Sequence, residues 1–120
     1  MPAMSIYALP ACLDPLSAHW PLPQPLANVQ LISTQFDPLR LQPDDFQRSQ
    51  IPPTHGVAKR QAEFLAGRVC AREALRRLNG SEVVPAVGAD RAPQWPAGVS
   101  GSITHGKNWA AAIVANSTDW

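Results

Sequence analysis

Apolar and polar residues alternate from Asn28 to Phe36, with Val29, Leu31 and Ser33 on one side and Gln30, Ile32 and Thr34 on the other. Period-two alternation in a β-branched stretch predicts a strand, closed by the turn signal Asp37-Pro38. A short helix start is predicted at Pro43-Asp44-Asp45-Phe46, with Asp44 near the N-cap. A much longer pattern follows. Pro52-Pro53-Thr54 supplies a stop and a candidate N-cap, and Asn79-Gly80 supplies an exit. Between them, Gly56 to Leu78 holds no proline and one interior glycine, Gly67. This predicts a helix roughly 34 Å long. Beyond it, Glu82–Val87 reads as a short strand and Gly88–Trp95 as a loop. Val99–Thr104 and Trp109–Ala115 are apolar and β-prone, and Gly106-Lys107-Asn108 predicts a tight hairpin turn between them. The order strand, long helix, hairpin implies an α+β fold, a small antiparallel sheet packed on one long helix.

Composition changes this picture little. The 120 residues fit one domain, 1–120, with no internal repeat or linker. Proline is unusually frequent, at 13 residues, and its concentration before residue 27 predicts an irregular segment over 1–26. Cys12 and Cys70 have no CxxC spacing and no disulfide framework, which points to a reducing cytoplasm. The segment Met1–Ala11 has no basic leader and is broken by Pro2 and Pro10, unlike a signal peptide. No apolar run approaches 18 residues, so no membrane partner is expected.

Charge is more informative locally than globally. The formal net charge is +1, which gives no general case for a nucleic-acid partner. Yet Lys59 to Arg77 carries six cations (Lys59, Arg60, Arg68, Arg72, Arg76, Arg77) against Glu63 and Glu73, which suggests a small anionic partner. On a helical wheel Phe64, Ala71, Leu75 and Leu78 share one face, with Gly67 beside them. Arg60 and Arg68 flank that stripe, about 12 Å apart along the axis. Two readings are open from spacing alone. The arginines snorkel, burying stems and wetting heads, or they converge on an anion suited to the guanidinium fork. Spacing favours the first. Arg72, Arg76 and Arg77 turn farther away and read as a solvated face.

A second cluster, Gly101-Ser102-Ile103-Thr104-His105-Gly106, places two hydroxyls and an imidazole at a strand end. The flanking glycines would let a ligand approach the backbone. Other chemistries find no pattern. The histidines and cysteines lack metal-site spacing, Ser102 is in no GxSxG elbow, and neither GxGxxG nor a P-loop occurs. No D-x-E pair exists among the nine acids, so neither a metal ligand set nor a catalytic residue is assigned within this chain.

Three collinear segments are nevertheless familiar together. Lys59-Arg60-Gln61-Ala62-Glu63-Phe64-Leu65-Ala66-Gly67-Arg68, continuing through Ala71-Arg72-Glu73-Ala74-Leu75, resembles the K-R-x-x-E-F-L-A-G-R…A-R-x-A-L helix of 4'-phosphopantetheinyl transferases of the siderophore-synthesis type. Asp90-Arg91-Ala92-Pro93-Gln94-Trp95-Pro96 resembles that family's R-x-P-x-W-P loop, and Gly101-Ser102-Ile103-Thr104-His105 its G-S-[IL]-[ST]-H segment. The resemblance spans roughly Leu39 to Ala115 and implies the coenzyme A-binding N-terminal half of a fold with two similar halves. It implies transfer of the phosphopantetheine arm of coenzyme A to a serine of an acyl or peptidyl carrier protein, chemistry that serves siderophore and fatty acid biosynthesis. Lys59, Arg60 and Arg68 would bind the 3'-phosphate of coenzyme A, Arg91 a phosphate from the loop, and Thr104 with His105 a phosphate from the strand end.

The family's G-[IV]-D-x-E acids, which bind Mg²⁺, and its W-x-x-K-E-[AS] helix have no counterpart in this chain. The expectation is therefore a half that binds coenzyme A, transfers nothing alone, and either self-associates or meets a complementary C-terminal half. The alternative is a non-enzymatic anion- or nucleic-acid-binding module that uses the basic helix.

Overall fold

The hairpin and the Asn28 segment join in one sheet. The computed structural model describes residues 9–18, 28–81, 83–87 and 93–116. Strand β1 (Val29–Gln35) is followed by a 3-10 turn (Pro38–Arg40), helix α1 (Asp45–Ser49) and helix α2 (Ala58–Asn79). Then come β2 (Ala86–Val87), β3 (Pro93–Gln94), β4 (Val99–Gly106) and β5 (Trp109–Asn116). The main sheet is antiparallel in the order β1-β5-β4, and β2 and β3 form a separate two-stranded ribbon. The α+β architecture matches expectation, with the hairpin strands reaching Gly106 and Asn116. Only the last two residues of the predicted Glu82–Val87 strand pair, and Glu82 itself lies outside the described residues.

Alternation fixes which sheet face meets α2. Ile32 pairs with Ala112 and Thr34 with Ala110, while Ile103 and His105 on β4 pair with the same two alanines. Side chains of paired positions share a face. Ile32, Ala110, Ala112 and Val114 are buried and pack with Leu65, Val69, Cys70, Ala71, Ala74 and Leu75 of α2. The small alanines of β5 let the helix lie close on the central strand. The opposite sheet face carries Leu31 and Ile113 half-buried.

The segment read as irregular does more than fill space. Leu13 bridges Phe36 and Ser17 bridges Ser33, so residues 12–17 run along the free edge of β1 and shield it. Pro10 and the neighbouring prolines prevent a full strand, but isolated backbone pairs remain available. A buried carboxylate secures this edge. Asp45 accepts from the N–H of Ala11 and the N–H of Gln42, both at 3.0 Å. Asp44 occupies the N-cap of α1 but makes no side-chain cap.

Helix α2 starts later than its stop signal implies. Its N-cap is Val57 rather than Thr54 and has no side-chain cap, and Gly80 ends it in the left-handed region at φ 82°. The buried surface is also wider than a single stripe. Residues Leu65 through Leu75 are all buried, because the sheet covers one side and α1 with the 9–18 segment covers another.

This corrects the reading of Arg72 and Arg76 as part of a solvated face, whereas Arg77 is exposed as expected. Arg72 is buried and donates to the carbonyl of Ser49 at the end of α1. Arg76 grips Glu73 with two bonds of 2.8 and 2.7 Å, and Arg77 adds a third of 2.8 Å. Burial raises the Glu73 carboxyl pKa, but the bonds from Arg76 and Arg77 outweigh it and hold the group below its ordinary value.

Candidate functional site

The residues Arg60, Glu63, Phe64, Gly67 and Arg68 recur at i, i+3, i+4, i+7 and i+8, which places them on one stripe of α2. That stripe forms one wall of an open cleft of about 490 Å³. Thr54 and His55 close it at the N-terminal end of the helix, and Pro93, Ile103 and His105 form the facing wall. The volume suits a small molecule or one end of a larger one.

Gly67 brings the two walls together. A Cβ there would lie 2.7 Å from Ile103 Cγ2, closer than real Cβ atoms approach, so only glycine lets α2 sit this near β4. Gly56, at φ 121°, clears the stem of Arg60, whose Cγ would be 2.8 Å from a Cβ. The glycines of the strand motif do something other than predicted. The face of Gly101 is occupied by the Trp95 ring, and that of Gly106 by the Trp109 indole. They accommodate aromatic packing rather than a ligand.

Arg68 is the least satisfied group in the cleft. It is 6% exposed, yet its Nε atom has no hydrogen-bond partner. Its guanidinium stacks over the Phe64 ring at 4.6 Å from the centroid, a cation–π contact. Burial lowers its pKa, because a desolvated cation is disfavoured. Among the described residues no carboxylate pairs with Arg60 or Arg68. On the opposite wall, His105 Nδ1 lies 3.4 Å from Glu63 Oε2. The cleft therefore presents two guanidinium groups and two imidazoles against one carboxylate, beside an aromatic ring. This arrangement can take up an anion, above all one with several oxygens.

The structure gathers some of the sequence-predicted site residues and separates others. Arg60, Arg68 and His105 line the cleft. Lys59 is exposed, one position off the stripe, and does not line it. Thr104 is exposed and, by strand alternation, faces away from α2 with Ser102. Arg91 lies outside the described residues, as does Asp90. Thr54, His55 and Glu63 belong to the cleft without having been singled out. The i+3 offset of Glu63 from Arg60 was a usable signal. His55 had none, because its place depends on how the chain enters α2.

The 4'-phosphopantetheinyl transferase N-terminal domain family matches residues 47–115, which include both walls. The chain belongs to this family. It is 37% identical over 105 residues to Enterobactin synthase component D of Salmonella typhi, covering 83% of this chain and 42% of that protein. Against Enterobactin synthase component D of Escherichia coli K12 the identity is 40% over 95 residues, 76% of this chain and 45% of that protein. The 4'-phosphopantetheinyl transferase Npt of Nocardia iowensis is 45% identical over 60 residues, 50% of this chain and 27% of Npt. The chain thus spans less than half the length of the relatives it matches. A three-stranded antiparallel sheet on one long helix is the form of this phosphopantetheinyl transferase domain here.

No helix among the described residues is long and apolar enough to cross a membrane. Among those residues, too, no three His, Cys, Asp or Glu converge where a metal ion could be held. The described residues do not fit a Mg²⁺ site.

Proposed function

We propose that this chain is the coenzyme A-binding half of a 4'-phosphopantetheinyl transferase and that the Arg60–Arg68–His105 cleft receives the phosphates of coenzyme A. One observation carries the reading: Arg68 is buried beside the cleft with an unbonded Nε and no carboxylate partner among the described residues. A buried, unpaired charge is costly, so a site that keeps one is built for an anion that arrives later. Family membership makes the phosphates of coenzyme A the natural choice. Arg60 and Arg68 take the 3'-phosphate, and Lys59 adds charge from the exposed first turn of α2. His105 meets phosphate from the β4 side, and Arg91, outside the described residues, is assigned a further phosphate. Thr104 keeps a place in the set only through contacts made on the far side of β4.

In the whole reaction, the serine of an acyl or peptidyl carrier protein displaces 3',5'-ADP from coenzyme A. The part played by these residues is positioning and charge stabilisation. Mg²⁺ ligands and the groups that move the proton are supplied by a complementary half. By itself the chain binds and does not transfer. In a cell it works in the cytoplasm with a complementary half.

The rival reading, a nucleic-acid or general polyanion binder, needs an exposed basic helix. It draws less support, because Arg72 is directed inward and Glu73 pairs with both Arg76 and Arg77, offsetting one of their two charges. Calorimetric titration with 3',5'-ADP and with 5'-ADP separates the two. Preference for 3',5'-ADP is expected. Equal, strongly salt-sensitive binding of both would favour the rival. Incubation with coenzyme A, Mg²⁺ and an apo carrier protein should leave the carrier's mass unchanged, and efficient transfer would refute inactivity.

A further inference from the structure

Glu63 has no evident place in a phosphate pocket, since its carboxylate repels the ligand. It is nevertheless on the cleft stripe, with its side chain 14% exposed and Oε2 3.4 Å from His105 Nδ1. We infer that Glu63 is a positioning residue that holds His105 by Nδ1 and thereby couples nucleotide binding to uptake of one proton. This rests on the reading of the cleft as a phosphate site.

The reasoning is tautomeric. A neutral imidazole has one N–H and one lone pair. If the carboxylate takes the Nδ1 hydrogen, the nitrogen left for the cleft is Nε2, bearing a lone pair. A lone pair facing phosphate repels it. Binding then requires a second proton, on Nε2, which makes an imidazolium held between two anions: Glu63 on one side and phosphate on the other. The proton comes from solvent, and no bond other than N–H forms. Without Glu63 the neutral ring is free to place its single hydrogen on Nε2 and greet the phosphate without proton uptake. Among the described residues, the other charged or titratable groups facing His105 across the cleft are Arg60 and Arg68 on α2 and His55 before it. The neighbour of His105 on β5 is Ala110, which carries none.

The test is calorimetry of the full chain with 3',5'-ADP at pH 7.5 in buffers of differing ionisation enthalpy, which counts protons taken up. His105→Gln supplies the baseline, because it keeps His55 and the ligand's own phosphate titration. Wild type should take up close to one proton more than this baseline, and Glu63→Ala close to none more. Wild-type affinity should fall about tenfold per pH unit once the free ring is neutral, whereas Glu63→Ala should vary far less. Nitrogen NMR of the free protein should find the Nδ1–H tautomer in wild type and its loss in Glu63→Ala. If that variant does not fold, Glu63→Gln serves. Its amide oxygen retains the tautomer, so its proton uptake should persist while the pH dependence moves to lower pH. Equal proton uptake in wild type and His105→Gln would overturn the inference while leaving the phosphate site standing. Failure of wild type to bind 3',5'-ADP at all would overturn both.

Discussion

Replacing Arg68 by methionine should make the protein more stable and a poorer nucleotide binder. Arg68 is 6% exposed, with no bond to Nε and no carboxylate partner among the described residues. Among the described residues its favourable contact is the Phe64 ring at 4.6 Å. Burying a charge without a partner costs several kcal/mol even after relaxation, on the order of 3. The cation–π contact returns about 0.5–2 kcal/mol. Methionine keeps the apolar stem and a polarizable contact to the ring, so the net gain should be about 1–2 kcal/mol. That amounts to a rise in Tm of several degrees for a domain of this size.

Urea denaturation monitored by tryptophan fluorescence would read this as a higher midpoint with an unchanged slope. The same substitution removes a charged donor to phosphate, worth about 1.5–3 kcal/mol, or roughly 10- to 150-fold in Kd for 3',5'-ADP. Stability up and affinity down is the signature of a group strained for function. Arg68→Met losing more than about 1 kcal/mol of stability would show that protein contacts hold the arginine. Unchanged affinity would show that no ligand does. Either result refutes the reasoning.

Three further outcomes follow from the packing. Gly67→Ala, which places a Cβ 2.7 Å from Ile103 Cγ2, should destabilise by about 1–3 kcal/mol through overpacking. Gly67→Ala combined with Ile103→Val should recover part of that loss in the same denaturation assay, and no recovery would place the strain elsewhere. The Glu73 carboxyl is held below its ordinary value of 4.5. Its contribution is therefore full above the unfolded value and lost as pH falls through the lower folded value. Glu73→Gln should flatten stability against pH below about 4.5, as read by thermal melts, and an unchanged acid profile would contradict the role of the Arg76 and Arg77 bonds. Cys12, raised to about 12 by burial and then by Asp45, and Cys70, raised to about 12 by burial, should resist thiol reagents in the native protein and react only on unfolding. Rapid labelling of either would mean that this core opens easily.

Local pattern was enough for the elements. Alternation over residues 28–36, an unbroken helical stretch bounded by Pro53 and Gly80, and two apolar runs around Lys107-Asn108 each rest on physics within a few residues of chain. Those signals imply an antiparallel sheet on a helix wherever they occur in this order. The motifs on α2 and β4 also carried family membership, because residue identities at fixed spacing survive without knowledge of contacts.

What the sequence could not decide was the surroundings of each side chain. Arg72 looks like a surface charge on a wheel, and only the packing of α1 against α2 turns it inward. Gly101 and Gly106 look like openings for a ligand until Trp95 and Trp109 fill them. Thr104 and His105 are adjacent in sequence, yet strand alternation sends them to opposite faces, and only the position of α2 says which face holds the cleft. The meeting of His105 with Glu63 joins residues 42 positions apart. A helical wheel records direction from one axis, whereas burial and partnership depend on what other segments bring to that direction. Those are long-range contacts, and the fold alone supplies them.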